Sequence, residues 1–159
     1  MTIQNLLYEK EKGSFMDIKL GTSSETAGAS EEKAAKRLAC DKERCSFEYG
    51  ITVVGVNLKD PKSGESKEKV SKLHPKTIEE SKDWIKKLFQ QTDDGQVDQK
   101  AVSFVNQELA KMAEYFKEVN EHTIRGMSLF IVIDSHKQNY GASLIDLVSM
   151  DQIPQDEGP

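Results

Sequence analysis

The chain has 159 residues, 36% hydrophobic and 31% charged, which is enough to bury one hydrophobic core, so we expect a single domain. Its 22 basic and 27 acidic residues give a formal net charge of -5, which argues against a protein that coats nucleic acid or an anionic membrane. No apolar run approaches the roughly 20 residues that span a bilayer, and the start has no signal-peptide pattern, so we expect a soluble protein of the cytoplasm, the nucleus or both.

The segment SFMDIKLG is predicted to be a strand, because apolar and polar residues alternate along it. Met16 and Ile18 share one face. Asp17 and Lys19 project together from the other face. On spacing alone, the favoured interpretation of this pair is an exposed strand face with a weak ion pair, worth under about 1 kcal/mol.

A mostly polar helix is predicted next, after the small polar loop TSSETAGAS. Ser30 can cap its amino terminus, and glutamates occupy its first turn. The helix exposes Lys33, Lys36 and Arg37 within about one turn of each other. By itself, such a basic patch is usually a solvated helix face.

The middle of the chain predicts a strand and two helices. FEYGITVVGVNLKD is rich in β-branched and aromatic residues, and a turn and a lysine-rich loop follow it to about His74. Thr77 and Glu80 form a capping-box pattern that opens the amphipathic helix TIEESKDWIKKLFQQ. A longer helix from about Asp98 to Asn120 carries apolar residues at spacings of three and four, which indicates core packing.

The last predicted elements are the strands MSLFIVID and ASLIDLV, joined by SHKQNYG as a β-hairpin. Asp146 lies in LIDLV with an apolar residue on each side, so a buried carboxylate there requires a cation or hydrogen-bond donors. A strand-end carboxylate that caps a backbone amide and a metal ligand are equally good interpretations. The tail after this segment shows no periodicity.

Six segments, in this order, resemble motifs of the inositol polyphosphate kinase family. GSFMDIKLG resembles the signature PxxxDxKxG, and IQNLLYEKEK before it is similar to the ENL segment at the hinge between lobes. YGITVVGV, MSLFIVID and SLIDLVSM are similar to LGFRISGM, SSLLFVYD and IDFAHT, and the tail IPQDEGP is similar to PGEGPDEG. The resemblance implies an α+β fold, the carboxyl-terminal lobe of a kinase-like fold, with an antiparallel sheet and flanking helices. Residues 1–159 would form one such domain, without the amino-terminal ATP-grasping lobe and the extreme carboxyl terminus.

The resemblance also implies roles for single residues. Asp17 and Lys19 match the acid and base of the signature, where the aspartate works at the nucleotide ribose and the substrate hydroxyl and the lysine at phosphates. Ser128 matches the second serine of SSLL, beside the reaction centre. Asp146 matches the aspartate that holds the Mg²⁺ bridging the ATP phosphates, and Asn5 falls in the hinge segment, where we expect contact with the nucleotide.

Lys33, Lys36 and Arg37 lie where the family has a basic helix that receives inositol phosphates. The implied function is ATP-dependent phosphorylation of an inositol polyphosphate, at a ring hydroxyl or a phosphate, with Mg²⁺. The alternative is a catalytically inactive inositol-phosphate-binding or regulatory module that keeps the basic helix but does not bind the nucleotide. A third interpretation is an α+β interaction domain whose resemblance is coincidental.

Five positions depart from the family motifs. Gly13 replaces the proline of the signature, Thr52 the arginine of GFR, Met127 the first serine of SSLL and Leu147 the phenylalanine of IDF, and the histidine of IDFAHT is not found in VSM. The catalytic aspartate, the lysine and the metal ligand are retained. We therefore expect an intact set of reacting groups in altered surroundings.

Overall fold

A computed structural model describes residues 10, 12–23, 29–118, 122–146 and 149–152 of the chain. In chain order, its elements are β1 (Ser14–Leu20), α1 (Glu31–Lys42), α2 (Ser46–Tyr49), β2 (Ile51–Lys59), β3 (Ser66–Ser71), α3 (Ile78–Phe89), α4 (Gln99–Glu118), β4 (His122–Arg125), β5 (Ser128–Asp134), β6 (Asn139–Ile145) and β7 (Ser149–Gln152). Five strands form one antiparallel sheet in the order β3-β2-β1-β5-β6, and β4 pairs with β7. The predicted α+β class, with an antiparallel sheet and flanking helices, is confirmed. No helix in these ranges is long and apolar enough to cross a membrane.

Strand β1 is the centre of the large sheet, because it pairs with β2 on one side and β5 on the other. The predicted alternation is confirmed. Met16 and Ile18 are buried, whereas Asp17 and Lys19, on the opposite face, are half-buried. The register between β1 and β2 shifts between Asp17 and Ile18, so an irregularity in the pairing lies beside the ionisable pair.

The hydrophobic core lies between the Met16 face of the sheet and the helices α3 and α4. Leu88 is completely buried, and it shares one cluster with residues of β1, β2 and β5. The predicted capping of α3 is confirmed, since Thr77 Oγ1 accepts from Glu80 N at 3.2 Å and Glu80 Oε2 accepts from Lys76 N at 2.9 Å. With the helices packed on one face, the Asp17 side of the sheet is available to polar groups.

Two predictions for the second quarter of the chain were wrong. The segment FEYG was expected to begin a strand, but Ser46–Tyr49 is a short helix that ends at Gly50, whose φ of 70° is in the left-handed region. The predicted lysine-rich loop contains β3, an edge strand paired with β2. Its side chains are mostly polar on both faces, so no apolar alternation marked it as a strand.

The apolar stripe of α4 packs unevenly on the core. Val105 is 4% exposed and Met112 is partly buried against the core, but Leu109 between them is 38% exposed. The prediction of core packing was therefore wrong for Leu109. The tail, whose sequence shows no periodicity, contains β7, which pairs with β4.

Candidate functional site

Three predicted site residues meet at one end of the large sheet. Ser128 is the first residue of β5, and it pairs in register with Lys19 of β1 and with Ile145 of β6. Asp146 directly follows Ile145, and Asp17 lies on the same face of β1 as Lys19. Strand register therefore brings groups from three neighbouring strands to the same end of the sheet. We name these three residues the carboxylate edge, although β1 and β5 are inner strands: Asp17, Ser128 and Asp146.

The environment of Asp17 disfavours its negative charge. Burial raises the pKa of Asp17 above the 3.8 of a free side chain, a hydrogen bond with the Ser128 side chain lowers it, and the charge of Asp146 raises it again. Asp17 Oδ1 is buried and accepts no hydrogen bond from the part of the chain that the structure describes. A buried oxygen without a donor is costly, so the unsatisfied Oδ1 adds to the penalty on the charged form of Asp17.

Asp146 is exposed, so the expectation of a buried carboxylate was wrong. Strand β6 ends at Ile145, and Asp146 has a φ of 59°, a left-handed conformation that aspartate tolerates better than most residues. Its charge nevertheless acts on Asp17. Two neighbouring carboxylates supply the hard oxygen atoms that Mg²⁺ prefers.

The described residues contain no cluster of three or more acidic, histidine or cysteine side chains that could enclose a metal ion. Mg²⁺ is commonly held by one or two carboxylates and completed by water and substrate phosphates. Asp17 and Asp146 therefore fit a cation that arrives with a nucleotide better than a permanently bound structural metal.

Lys19 lies between the carboxylate edge and helix α1. Its Nζ is 3.9 Å from Oδ1 of Asp41, and the two side chains are 13% and 3% exposed. Burial lowers the pKa of Lys19, the charge of Asp41 raises it, and the charges of Arg44 and Arg37 lower it. The weak pair with Asp17 that spacing favoured is thus replaced by a shielded ion pair with Asp41.

The predicted basic patch forms one wall of a cavity. Ser30 Oγ accepts from Lys33 N at 3.4 Å, which confirms the predicted cap of α1. Lys33, Lys36 and Arg37 line a cavity of about 390 Å³ together with Cys40 and Arg44, and we name these five residues the basic groove. The structure therefore brings the three predicted residues together.

Asp41 and Arg44 were missed at the sequence level, although a signal was present. Lys33, Arg37, Asp41 and Arg44 follow each other at spacings of four, four and three, which predicts one face of a helix. Asn5, the remaining predicted residue, lies outside the described residues.

A larger cavity, of about 510 Å³, opens near the other end of β5, around Ser135, Tyr140 and the loop from Thr92 to Asp98. It contains none of the predicted site residues.

Comparison with known proteins gives one family and one fold. A family model described as inositol polyphosphate kinase matches residues 1–157. A structure from structural and protein-engineering studies of inositol phosphate multikinase has a TM-score of 0.78 at 21% identity, covering 96% of this chain and 74% of that chain. Inositol phosphate multikinase Ipk2 from S. cerevisiae, in complex with ADP and Mn²⁺, has a TM-score of 0.69 at 18% identity, covering 94% and 72%. A search of curated proteins gives no significant match.

Proposed function

Because the chain belongs to the inositol polyphosphate kinase family, we propose that it transfers the γ-phosphoryl group of ATP to an inositol polyphosphate in the presence of Mg²⁺. A coincidental resemblance does not explain a family match over nearly the whole chain. The observation that most directly supports the proposal is the meeting of Asp17, Ser128 and Asp146 at one edge, beside Lys19 and a cationic cavity. Phosphoryl transfer depends mainly on positioning and on neutralising negative charge, and these groups supply both.

Asp17 is assigned to the hydroxyl groups of the ligands. Its carboxylate is half-buried and interacts with the Ser128 side chain. A ribose or inositol hydroxyl could donate to this carboxylate. The raised pKa of Asp17 also makes it a better proton acceptor than a solvated aspartate, because a carboxylate whose charge is disfavoured binds a proton more readily.

Asp146 is assigned to Mg²⁺ and Lys19 to phosphate. A bound divalent cation would neutralise charge on the nucleotide phosphates. The related yeast multikinase was crystallised with ADP and Mn²⁺, which supports the use of a nucleotide and a divalent cation here. Lys19, held near the carboxylate edge by Asp41, can donate to a phosphate from the side of the basic groove.

The basic groove is assigned to the inositol phosphates. Lys33 and Lys36 are exposed and Arg37 is half-buried along one side of α1. Ammonium and guanidinium groups on one surface form charge-assisted hydrogen bonds with phosphate oxygens. The net charge of -5 means that the cations of the groove are a local feature and do not reflect the overall charge of the chain.

The test is transfer of label from radiolabelled ATP to inositol tris- or tetrakisphosphate by the purified chain with Mg²⁺. We expect transfer by the wild type, and a loss of at least about 100-fold in turnover for Asp17→Asn and Asp146→Asn, since each removes a group placed at the reaction centre. Asp83→Asn, on an exposed position of α3, is the matched control and should be as active as the wild type. Full activity of Asp146→Asn would contradict the assignment of the metal ligand.

One observation favours the alternative, a binding module without catalysis. Thr52 stands where the family motif has arginine, it is completely buried opposite Lys19, and its Oγ1 lacks a partner in the described residues. The positive charge of the motif's arginine is therefore missing beside the reaction centre. Tight inositol phosphate binding without any label transfer would support this alternative over the kinase.

A further inference from the structure

The basic groove continues into a second cavity. This cavity, of about 220 Å³, is lined by Cys40, Glu43, Arg44, His74 and Lys76, so it shares Cys40 and Arg44 with the groove. Two cavities lined by the same side chains are neighbours on the surface. Arg44 therefore stands at the junction of one continuous, largely cationic surface, and the sequence motifs assign no role to it.

The guanidinium of Arg44 is held in place by a histidine. Arg44 Nε donates to His74 Nδ1 at 3.2 Å, across two loops that are also joined by the hydrogen bond from Cys45 N to Pro75 O at 3.1 Å. Fixing Nε restricts the plane of the guanidinium, while the terminal nitrogen atoms of an arginine still carry four N–H donors. A fixed planar fork of donors suits a phosphate group.

Arg44 is also within electrostatic reach of the reaction centre. Its charge and that of Arg37 act on Lys19, so two cations, from α1 and the following loop, lie within electrostatic reach of Lys19. The ion pair with Asp41 offsets part of this repulsion. A ligand with several negative charges would offset the rest, and a singly charged anion would do so less well.

We propose that Arg44 determines substrate specificity by binding one phosphate of the ligand at the junction of the two cavities, with Lys76 extending the same site. The consequence is a preference for highly phosphorylated inositols, because the additional phosphates find cations beyond the three of helix α1. Glu43 lines the second cavity and opposes such binding by its charge. The identity of the ligand rests on the proposed function.

The inference is tested by calorimetric titration of the full chain with inositol hexakisphosphate and with an inositol trisphosphate, without ATP. Loss of one bidentate phosphate contact should weaken hexakisphosphate binding by about tenfold in Arg44→Gln, against less than about threefold for the trisphosphate. Lys76→Gln should act in the same direction. Glu43→Gln should strengthen hexakisphosphate binding, because it removes a negative charge. The control for Arg44→Gln and Lys76→Gln is Lys86→Gln, which removes one positive charge from an exposed position of α3.

His74 is a positioning residue in this scheme. His74→Ala should weaken hexakisphosphate binding by several-fold, and His74→Asn should restore part of it, because the asparagine carbonyl can replace Nδ1 as the acceptor for Arg44 Nε. A purely structural role for His74 would weaken both ligands alike and would show no rescue by asparagine.

The outcomes separate this inference from the proposed function. If the wild type transfers label but Arg44→Gln and Lys76→Gln leave the ratio of the two affinities unchanged, the kinase stands and the role of Arg44 is wrong. If the wild type binds neither inositol phosphate, both proposals fail. Selective loss of hexakisphosphate binding in both variants, with an unchanged control, supports the inference.

Discussion

Lys19 and Asp41 join the central strand of the sheet to helix α1 through an ion pair of 3.9 Å, and the Asp41 side chain is only 3% exposed. The pair is a direct side-chain contact between the strand that carries Asp17 and the helix that lines the basic groove.

Asp41→Asn is expected to destabilise the fold by about 2 kcal/mol, because the Lys19 ammonium remains shielded from water without its charged partner. Urea unfolding followed by circular dichroism measures the change. Asp83→Asn, an exposed aspartate of α3, is the control and should change stability by less than about 0.5 kcal/mol. Equal effects of the two substitutions would show that the pair contributes nothing.

Asp17→Asn is expected to stabilise the fold at neutral pH while it abolishes turnover. The folded-state pKa of Asp17 is raised, so its contribution to stability is complete below the unfolded value of 3.8 and is lost as pH rises through the folded value. Because the side chain is half-buried and partly screened by water, the gain at neutral pH should be at most about 1 kcal/mol.

The measurement is urea unfolding of Asp17→Asn and the wild type at a series of pH values. The advantage of the variant should appear only above the window in which Asp17 ionises. An advantage of the same size at pH values below 3.8 would assign it to packing instead of charge.

Tyr140→Phe is expected to destabilise the start of α4. The Tyr140 hydroxyl donates to Asp98 Oδ2 at 3.0 Å, and Asp98 Oδ1 accepts from the backbone N of Lys100 and Ala101, so the tyrosine supports the residue that caps the helix. Loss of this charge-assisted hydrogen bond should cost about 1–2 kcal/mol in the free energy of unfolding.

Tyr140 also gives a pH-dependent signal. Burial, then the hydrogen bond and charge of Asp98, raise its pKa to about 12. Its contribution to stability is complete below the ordinary value of 10.0 and is lost as pH rises through the folded value, so the wild type and Tyr140→Phe should converge in strong alkali. Ultraviolet absorbance of tyrosinate in the wild type, with the variant as blank, reports the ionisation.

Replacing Lys33, Lys36 and Arg37 together by alanine is expected to weaken inositol phosphate binding by at least about 100-fold, because three charge-assisted contacts are lost. Binding by the wild type should weaken as salt is added, and the salt dependence should be smaller in the triple variant. The control is a triple replacement of Lys69, Lys82 and Lys86 by alanine, because these lysines are exposed and line neither cavity.

Leu88 and Leu109 differ in burial, and replacing each by alanine tests this difference. Leu88 is fully buried, and Leu88→Ala should cost about 2–5 kcal/mol through lost burial and the cavity left behind. Leu109 is 38% exposed, and Leu109→Ala should cost less than about 1 kcal/mol. Similar losses for both would mean that Leu109 packs as tightly as Leu88.

Local patterns predicted most of the fold. The alternation in β1, the cap at Ser30 and the capping box at Thr77 each depend on neighbouring residues, and the structure has all three. β3 and the reach of α4 depend on distant partners. A charged segment becomes a strand only because β2 offers it an edge, and the exposure of Leu109 depends on which elements pack against α4.

The same distinction applies to the site. Motif resemblance identified Asp17, Ser128 and Asp146, and strand register brings them together. Arg44 follows the end of α1, outside every motif, and its importance depends on contact with a loop that lies 30 residues away in sequence. The helical spacing places Arg44 on one face with other charged residues of α1, but its contact with His74 leaves no local pattern.

Strand β3 has a consequence for how the protein behaves at high concentration. It forms one edge of the described sheet, and Lys67, Glu68 and Lys69 occupy its middle. A strand from another copy of the chain could extend the sheet only by crowding these charges and stripping water from them. We therefore expect the same charges that gave β3 no apolar alternation to oppose fibril-like assembly at high protein concentration.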